Sequence, residues 1–239
     1  MNDQLFLKAL EMKKFNDLDF FPFNLPIIQK LNKLVFNQSV TFFTGDNGTG
    51  KSTLLEAIAI ELGFNPEGGS KNFRFSTHDS HSELSQYIRL VKGTSRPQDG
   101  YFLRSESFYN LLTEIDELKL STANYYGGQS LHNRSHGESV LTLLSRRLSG
   151  NGIYIFDEPE SGLSPIGLFK FLILIDELVQ KGSQIIIATH SPIILGYRNA
   201  EILEFKDDNI SVVGYKETDV YGLYKRFLED ENFIDELLK

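Results

Sequence analysis

Cysteine is absent from the 239-residue chain, which excludes a disulfide scaffold, a zinc–thiolate site and thiol chemistry. Absent cysteine is compatible with a reducing compartment. Positive charge is also scarce, since 32 acidic residues outnumber 24 basic residues and give a net charge of −8. A cationic surface over the whole body for nucleic-acid binding is therefore excluded, although a local basic patch is not.

Long hydrophobic runs are missing as well. No stretch approaches the ~18 uncharged apolar residues of a membrane-spanning helix, and the first thirty residues lack the apolar core of a signal peptide. The 41% hydrophobic and 23% charged residues are ordinary for a globular protein, and the length suits one large α/β domain or a core with a small subdomain. We therefore expect a soluble, cytoplasmic protein without membrane insertion of its own.

Three apolar runs predict buried strands. Val40–Thr44 is β-branched and aromatic, and it is followed by a helical apolar pattern over Lys51–Leu62. Ile153–Phe156 and Ile185–Ala188 are uniformly apolar, as expected of parallel strands that are buried on both faces. An apolar helix, Leu168–Val179, is predicted between them. This alternation indicates an α/β fold with a mostly parallel sheet.

The remaining segments are less regular. Residues 1–39 suggest one or two edge strands broken by Pro22 and Pro26, and residues 65–100 suggest irregular structure around a short helix at Glu83–Val91. Other local apolar patterns predict strands at Tyr101–Leu103, Ala200–Phe205 and Ile210–Tyr215, and helices at Glu138–Leu148, Gly222–Leu228 and Phe233–Leu238.

A glycine-rich loop joins the first apolar strand to its helix. Gly45–Ser52 fits G-x-x-x-x-G-K-[ST] in full, a pattern whose backbone N–H groups cradle phosphate oxygens beside a helix N-terminus. The pattern predicts that Lys51 reaches the β- and γ-phosphates and that Ser52 ligates Mg²⁺. The alternative is a glycine-rich turn with a surface lysine. The candidate phosphate-binding residues are Gly45, Asp46, Asn47, Gly48, Thr49, Gly50, Lys51, Ser52 and Thr53.

Polar residues follow the other two apolar strands. Asp157 and Glu158 come directly after Ile153–Phe156, at the sheet edge where ligands of open α/β folds bind. We expect Asp157 to hold Mg²⁺ and Glu158 to orient and deprotonate an attacking water; a solvated strand end is the alternative. His190 follows the third strand and is predicted to contact the γ-phosphate, the alternative being a structural or exposed histidine.

A Ser-x-Gly turn, Ser135–Gly137, opens the predicted helix at Glu138–Leu148. Such a turn can bind an anion through its hydroxyl, its backbone N–H groups and the helix dipole. By itself it can equally be a plain helix N-cap.

In this order, the four pieces resemble the ATP-binding cassette (ABC) ATPase family. Gly45–Ser52 resembles its Walker A motif, Ile153–Glu158 its Walker B motif and Ser135–Glu138 its signature. Glu158–Ser164 is similar to Walker B plus D-loop, and His190 to the switch histidine. Tyr101–Phe108 and Ser135–Ser139 further resemble stand-alone bacterial ATPases grouped with RecF/SMC-like and AAA_21 ATPases.

The resemblance implies a P-loop NTPase fold with a mostly parallel sheet, an antiparallel edge and a small helical lobe at about 105–148. It implies one ABC-type domain over 1–239, with its core at about 1–100 and 150–239. It also implies Mg²⁺-dependent ATP hydrolysis in a head-to-tail homodimer formed on ATP binding. One subunit would supply Walker A, Asp157, Glu158 and His190, and the other Ser135 and Gly137.

Some positions depart from the family pattern. Arg134, His136 and Glu138 replace usual signature residues, and no Q-loop glutamine follows the Tyr101–Leu103 strand. An adenine-stacking aromatic is not singled out either, because the candidates Phe20, Phe21 and Phe23 can equally belong to the core.

The process driven by hydrolysis has three interpretations. The RecF/SMC-like resemblance favours a soluble ATPase in DNA maintenance or antiphage defence, with a nuclease as partner and direct nucleic-acid binding left open. The alternative is the nucleotide-binding subunit of a transporter whose membrane permease is a separate chain; the missing Q-loop glutamine counts against it. Glu158 and His190 argue against a third interpretation, an ATP-binding switch without turnover.

Overall fold

The structure is a computed structural model that describes residues 5–15, 18–70, 82–104 and 136–238, without the side chains of 136–140 and Leu143. Its strands are β1 (Leu7–Met12), β2 (Lys33–Val35), β3 (Val40–Gly45), β4 (Ile88–Lys92), β5 (Asp99–Arg104), β6 (Gly152–Asp157), β7 (Gln184–Ala188), β8 (Glu201–Lys206) and β9 (Asn209–Val213). Its α-helices are α1 (Pro26–Lys30), α2 (Lys51–Glu61), α3 (His136–Arg147), α4 (Pro165–Gln180), α5 (Pro192–Leu195), α6 (Asp219–Glu229) and α7 (Phe233–Leu237).

Six strands form the main sheet in the order β5-β6-β7-β3-β8-β9. Neighbouring strands are parallel except for β8 and β9, which pair antiparallel. Every residue of β6 and β7 is buried, which confirms the prediction from their uniformly apolar sequence. The mostly parallel sheet with an antiparallel edge is therefore confirmed.

Two apolar cores lie on opposite faces of this sheet. Phe43 and Ile155 belong to the core that also contains α2 residues, whereas Phe42 and Tyr154 belong to the core that contains α4 residues. Successive side chains of a strand point to opposite faces. The main sheet is therefore covered on both sides.

A second, antiparallel sheet has the order β2-β1-β4. Of the two strands that residues 1–39 contribute, β2 is an edge strand, as predicted, whereas β1 is the central strand. The helix predicted over Glu83–Val91 is wrong, because this segment forms a 3-10 turn at Glu83–Tyr87 followed by β4. Ile88 and Leu90 are buried with the exposed Arg89 between them, which is the period-2 pattern of a strand. Leu84, Ile88 and Val91 are spaced as on one face of a helix. The segment nevertheless forms a strand, because it pairs with β1.

The helical lobe predicted at about 105–148 lies outside the described residues except for α3. The C-terminal end of α3 is anchored to the main sheet, because Arg147 donates a hydrogen bond to Asp99 Oδ1 at 2.9 Å. The Tyr154 hydroxyl donates to the other oxygen of the same carboxylate, also at 2.9 Å. The division into core and lobe stays a prediction.

Candidate functional site

The candidate site lies at the edge of the main sheet where the parallel strands end. The last residues of β6 and β7 pair in register, Asp157 with Ala188, and Ala188 also pairs with Phe43 of β3. The segments that follow these three strands therefore leave the sheet side by side. They contain the glycine-rich loop, Glu158 and His190.

The glycine-rich loop runs from the end of β3 into α2, whose N-cap is Gly50. Gly45 has a φ of +124°, and a Cβ there would stand 2.1 Å from the Phe205 carbonyl oxygen on β8. Asp46 and Asn47 are exposed beyond this close approach, and the Thr49 hydroxyl donates to the Asp46 carbonyl at 2.9 Å. Thr53 is half-buried on α2. The loop is therefore pressed against β8 at one end and open at its tip.

We expect Gly45→Ala to lower the free energy of unfolding by about 3 kcal/mol, because a methyl group would overlap a backbone carbonyl in a conformation that L-residues avoid. Gly48→Ala is the matched control: its φ is +79°, but no atom lies within 4 Å of its Cβ position. Gly48→Ala should lower the free energy of unfolding by only about 1 kcal/mol, from backbone strain alone. Urea denaturation measures both; equal losses would contradict the steric argument.

Lys51 is buried at the start of α2, with 5% of its surface exposed. Its Nζ donates to the carbonyl oxygens of Gly45 at 2.8 Å and Asp46 at 2.6 Å. Burial lowers its pKa, and the charges of Glu158, Asp46 and Asp157 oppose that shift. An ammonium group held over the loop by carbonyl oxygens can exchange them for phosphate oxygens, which form stronger, charge-assisted bonds.

Ser52 and Asp157 meet although 105 positions separate them in the chain. The Ser52 hydroxyl donates to Asp157 Oδ1 at 2.9 Å, and Asp157 is buried at the end of β6. A hydroxyl and a carboxylate are oxygen ligands of the kind that Mg²⁺ prefers when it is shared with nucleotide phosphates. These two side chains therefore fit the predicted metal site.

Glu158 and His190 face each other at the mouth of the site. His190 Nε2 lies 3.9 Å from Glu158 Oε1, and 48% of the Glu158 side chain is exposed. Burial and the Lys51 charge lower the pKa of His190, which favours a neutral imidazole at pH 7. Its Nε2 atom is buried and has no hydrogen-bond partner among the described residues. An unpaired buried nitrogen beside Lys51 and Glu158 fits a phosphate ligand.

Two predicted site residues lie at or beyond the limit of the described chain. Gly137 is in the first turn of α3, and Ser135 lies outside the described residues. Of the proposed adenine-stacking residues, Phe23 is fully buried in the core with 0% exposure, whereas Phe20 and Phe21 are 46% and 61% exposed. Phe23 therefore belongs to the core.

Glu160 and Arg104 have no role that the sequence motifs predict. Glu160 Oε1 accepts hydrogen bonds from the Thr189 hydroxyl and the His190 backbone N–H. Arg104 pairs in register with Asp157, and its guanidinium contacts Glu56 of α2 at 2.7 Å. A charged residue at the end of a strand was the available signal for Arg104. Glu160 lies within the D-loop-like segment Glu158–Ser164, but no local pattern indicates its bonds to Thr189 and His190, because these partners follow a different strand.

Two family models match the chain. A model described as "AAA domain" matches residues 13–147, more than half of the chain, and one described as "AAA domain, putative AbiEii toxin, Type IV TA system" matches residues 127–196. Within the described residues, no helix is both long and apolar enough to cross a membrane.

Curated relatives and a solved structure agree with these matches. The energy-coupling factor transporter ATP-binding protein EcfA1 of Fusobacterium nucleatum is 28% identical over 95% of this chain and 88% of its own length. The cobalt import ATP-binding protein CbiO of Salmonella typhimurium is 27% identical over 73% of this chain and 70% of its own. The structure of cbiO1 from Clostridium perfringens, part of the ABC transporter complex cbiONQ, aligns over 98% of this chain and 99% of that chain, with a TM-score of 0.54 and 19% identity.

The cbiO1 likeness concerns the fold alone. The family model is the broader finding, because it runs from the residue after β1 through the glycine-rich loop to the end of α3. The chain accordingly belongs to the AAA-domain family and is an ABC-type nucleotide-binding domain, an enzyme that hydrolyses ATP.

Proposed function

We propose that the chain hydrolyses ATP with Mg²⁺ in a head-to-tail homodimer and that Lys51, Ser52, Asp157, Glu158 and His190 carry the reaction. The observation that supports this proposal is their convergence. The Ser52–Asp157 hydrogen bond of 2.9 Å and the Glu158–His190 approach of 3.9 Å bring the two acids together with the residues that follow β3 and β7.

Each group has a distinct role in this proposal. The loop N–H groups and Lys51 bind the β- and γ-phosphates. Ser52 Oγ and the Asp157 carboxylate would hold Mg²⁺, which neutralises charge on the phosphate oxygens when bound. The Glu158 carboxylate orients the attacking water and accepts its proton, while neutral His190 donates its Nε2–H to a γ-phosphate oxygen.

The exposure of Glu158 supports a dimer. A general base acts best where bulk water is excluded, and nearly half of the Glu158 side chain is exposed in the single chain. In the proposed dimer the partner copy covers this mouth, and its Ser135 and Gly137 contact the γ-phosphate. Hydrolysis then requires two copies of the chain.

We infer that the dimer is the nucleotide-binding part of a membrane transporter, that it lies on the cytoplasmic side, and that the membrane permease is a separate chain. The two relatives described above are named as ATP-binding proteins of transport. These relatives support the transporter alternative better than the soluble DNA-maintenance or antiphage process that the motifs favour.

Purification of the tagged chain from its native cells tests the partner. We expect recovery from detergent-extracted membranes together with one integral membrane protein in a fixed ratio. Recovery in the soluble fraction, with ATPase activity that duplex DNA stimulates at least tenfold, would contradict the transporter proposal and support the soluble one.

Lys51→Ala should mainly lower ATP affinity, whereas His190→Ala should mainly lower kcat. Loss of the Lys51 ammonium removes charge-assisted phosphate contacts, so ATP affinity should fall by ~10- to 100-fold. His190→Ala should keep ATP affinity within about threefold and lower kcat by ~100-fold, because its contact matters most as charge develops on the γ-phosphate. Titration of a fluorescent ATP analogue and phosphate-release assays separate the two effects. An equal loss of affinity in both variants would mean that His190 is misassigned.

A further inference from the structure

The carboxylate of Glu160 joins the loop after β6 to the segment that carries His190. Glu160 Oε1 accepts one hydrogen bond from the Thr189 hydroxyl at 2.8 Å and another from the His190 backbone N–H at 2.7 Å. One oxygen atom therefore receives two donors from consecutive residues on the other segment.

These bonds begin where the backbone pairing of the sheet stops. The Glu158 N–H donates to the Ala188 carbonyl at 2.9 Å, which continues the pairing of β6 and β7 by one residue. The next residue, Pro159, has no N–H to donate. The Glu160 side chain then holds together the two segments that the backbone no longer joins.

The His190 segment is also held from its other side. The Thr189 N–H donates to the Phe43 carbonyl of β3 at 3.0 Å, and the Thr189 hydroxyl accepts from the Ser191 N–H at 3.0 Å. The backbone at His190 thus lies between β3 and Glu160. These bonds fix the position from which the His190 side chain extends toward Glu158.

We propose that Glu160 is a positioning residue for ATP hydrolysis, which holds the His190 imidazole where it can contact the γ-phosphate. This inference rests on the proposed role of His190. Glu160 acts through His190 and does not touch the nucleotide. It also lies two residues after Glu158, so the same short loop sets the relative position of both groups.

A partly buried carboxylate is energetically unfavourable if its only role is to connect two segments. Burial raises the pKa of Glu160, and its hydrogen bonds with His190 and Thr189 oppose that rise. Its second oxygen, Oε2, is buried without a hydrogen-bond partner among the described residues, a state that is unfavourable for a polar atom. The carboxylate provides one acceptor oxygen that the Thr189 hydroxyl and the His190 N–H can both reach.

Three variants test the inference by kcat, KM and ATP affinity. Glu160→Gln retains a carbonyl oxygen that can accept both bonds, so its kcat should stay within about threefold of the wild type. Glu160→Ala removes the acceptor, and we expect kcat to fall ~10- to 100-fold while KM and ATP affinity change less than about threefold. Glu177→Ala, at an exposed position on α4, is the matched control and should behave as the wild type.

A double-mutant cycle shows whether Glu160 acts through His190. Once His190→Ala has removed the imidazole, adding Glu160→Ala should lower kcat by less than about threefold more. Thr189→Val serves if Glu160→Ala does not fold. It removes the hydroxyl that donates to Glu160 and accepts from the Ser191 N–H, and it keeps the bond between Glu160 and the His190 N–H. Its kcat should fall ~3- to 10-fold at unchanged ATP affinity.

The outcomes separate this inference from the proposed function. Normal kcat in Glu160→Ala, or in Thr189→Val where that variant replaces it, would overturn the positioning role, as would independent, multiplying losses in the double variant. A fall in ATP affinity equal to the fall in kcat would also overturn it, because the effect would then be general damage to the site. Normal turnover in His190→Ala would instead refute the role proposed for His190 itself.

Discussion

Glu158→Gln should bind ATP, lose at least ~100-fold in turnover and accumulate as a dimer. General-base catalysis typically contributes ~10²- to 10⁴-fold, and glutamine cannot accept a proton from water. The Glu158 side chain is half exposed, so the substitution should leave the fold and ATP affinity intact. The ATP-bound dimer would then form but not dissolve by hydrolysis.

Light scattering with ATP and Mg²⁺, combined with a phosphate-release assay, measures both effects. The control is the double variant Lys51→Ala/Glu158→Gln, which should remain a monomer because it lacks the phosphate contact. A Glu158→Gln protein that stays monomeric at every protein concentration would count against the dimer.

A mixture of Lys51→Ala and Gly137→Asp proteins should recover ATPase activity that neither protein has alone. Each homodimer has two defective sites, since the first lacks the loop cation and the second places charge and bulk at the start of α3. In a mixed dimer one site collects both defects, and the other pairs an intact loop with an intact signature. Activity should stay below half of the wild-type rate because inactive homodimers persist.

Differential tagging must first show that mixed dimers form. If they form and remain inactive, either the two sites fire only together or Ser135–Gly137 is merely a helix cap. A Ser135→Ala homodimer distinguishes these explanations, because normal turnover in it would refute the shared site.

Several features of the fold could be predicted from local sequence. The strands at Val40–Thr44, Ile153–Phe156 and Ile185–Ala188 were predicted within one or two residues, because parallel strands buried on both faces need uniformly apolar side chains. The helix predicted at Glu83–Val91 is wrong, because local apolar spacing does not decide its conformation. Its apolar spacing is compatible with a helix or a strand, and the choice depends on β1, a distant partner.

The sequence by itself determined the order and chemistry of the motifs, because Gly45–Ser52, Asp157, Glu158 and His190 each stand in a local pattern that can be read without the fold. Only the tertiary structure decided which of them meet. The Ser52–Asp157 hydrogen bond spans 105 positions and the Glu160–His190 bond spans 30. The physical reason is that parallel strands bring distant segments to one sheet edge, so a contact such as that of Glu160 depends on strand order and leaves no periodic signal in the chain.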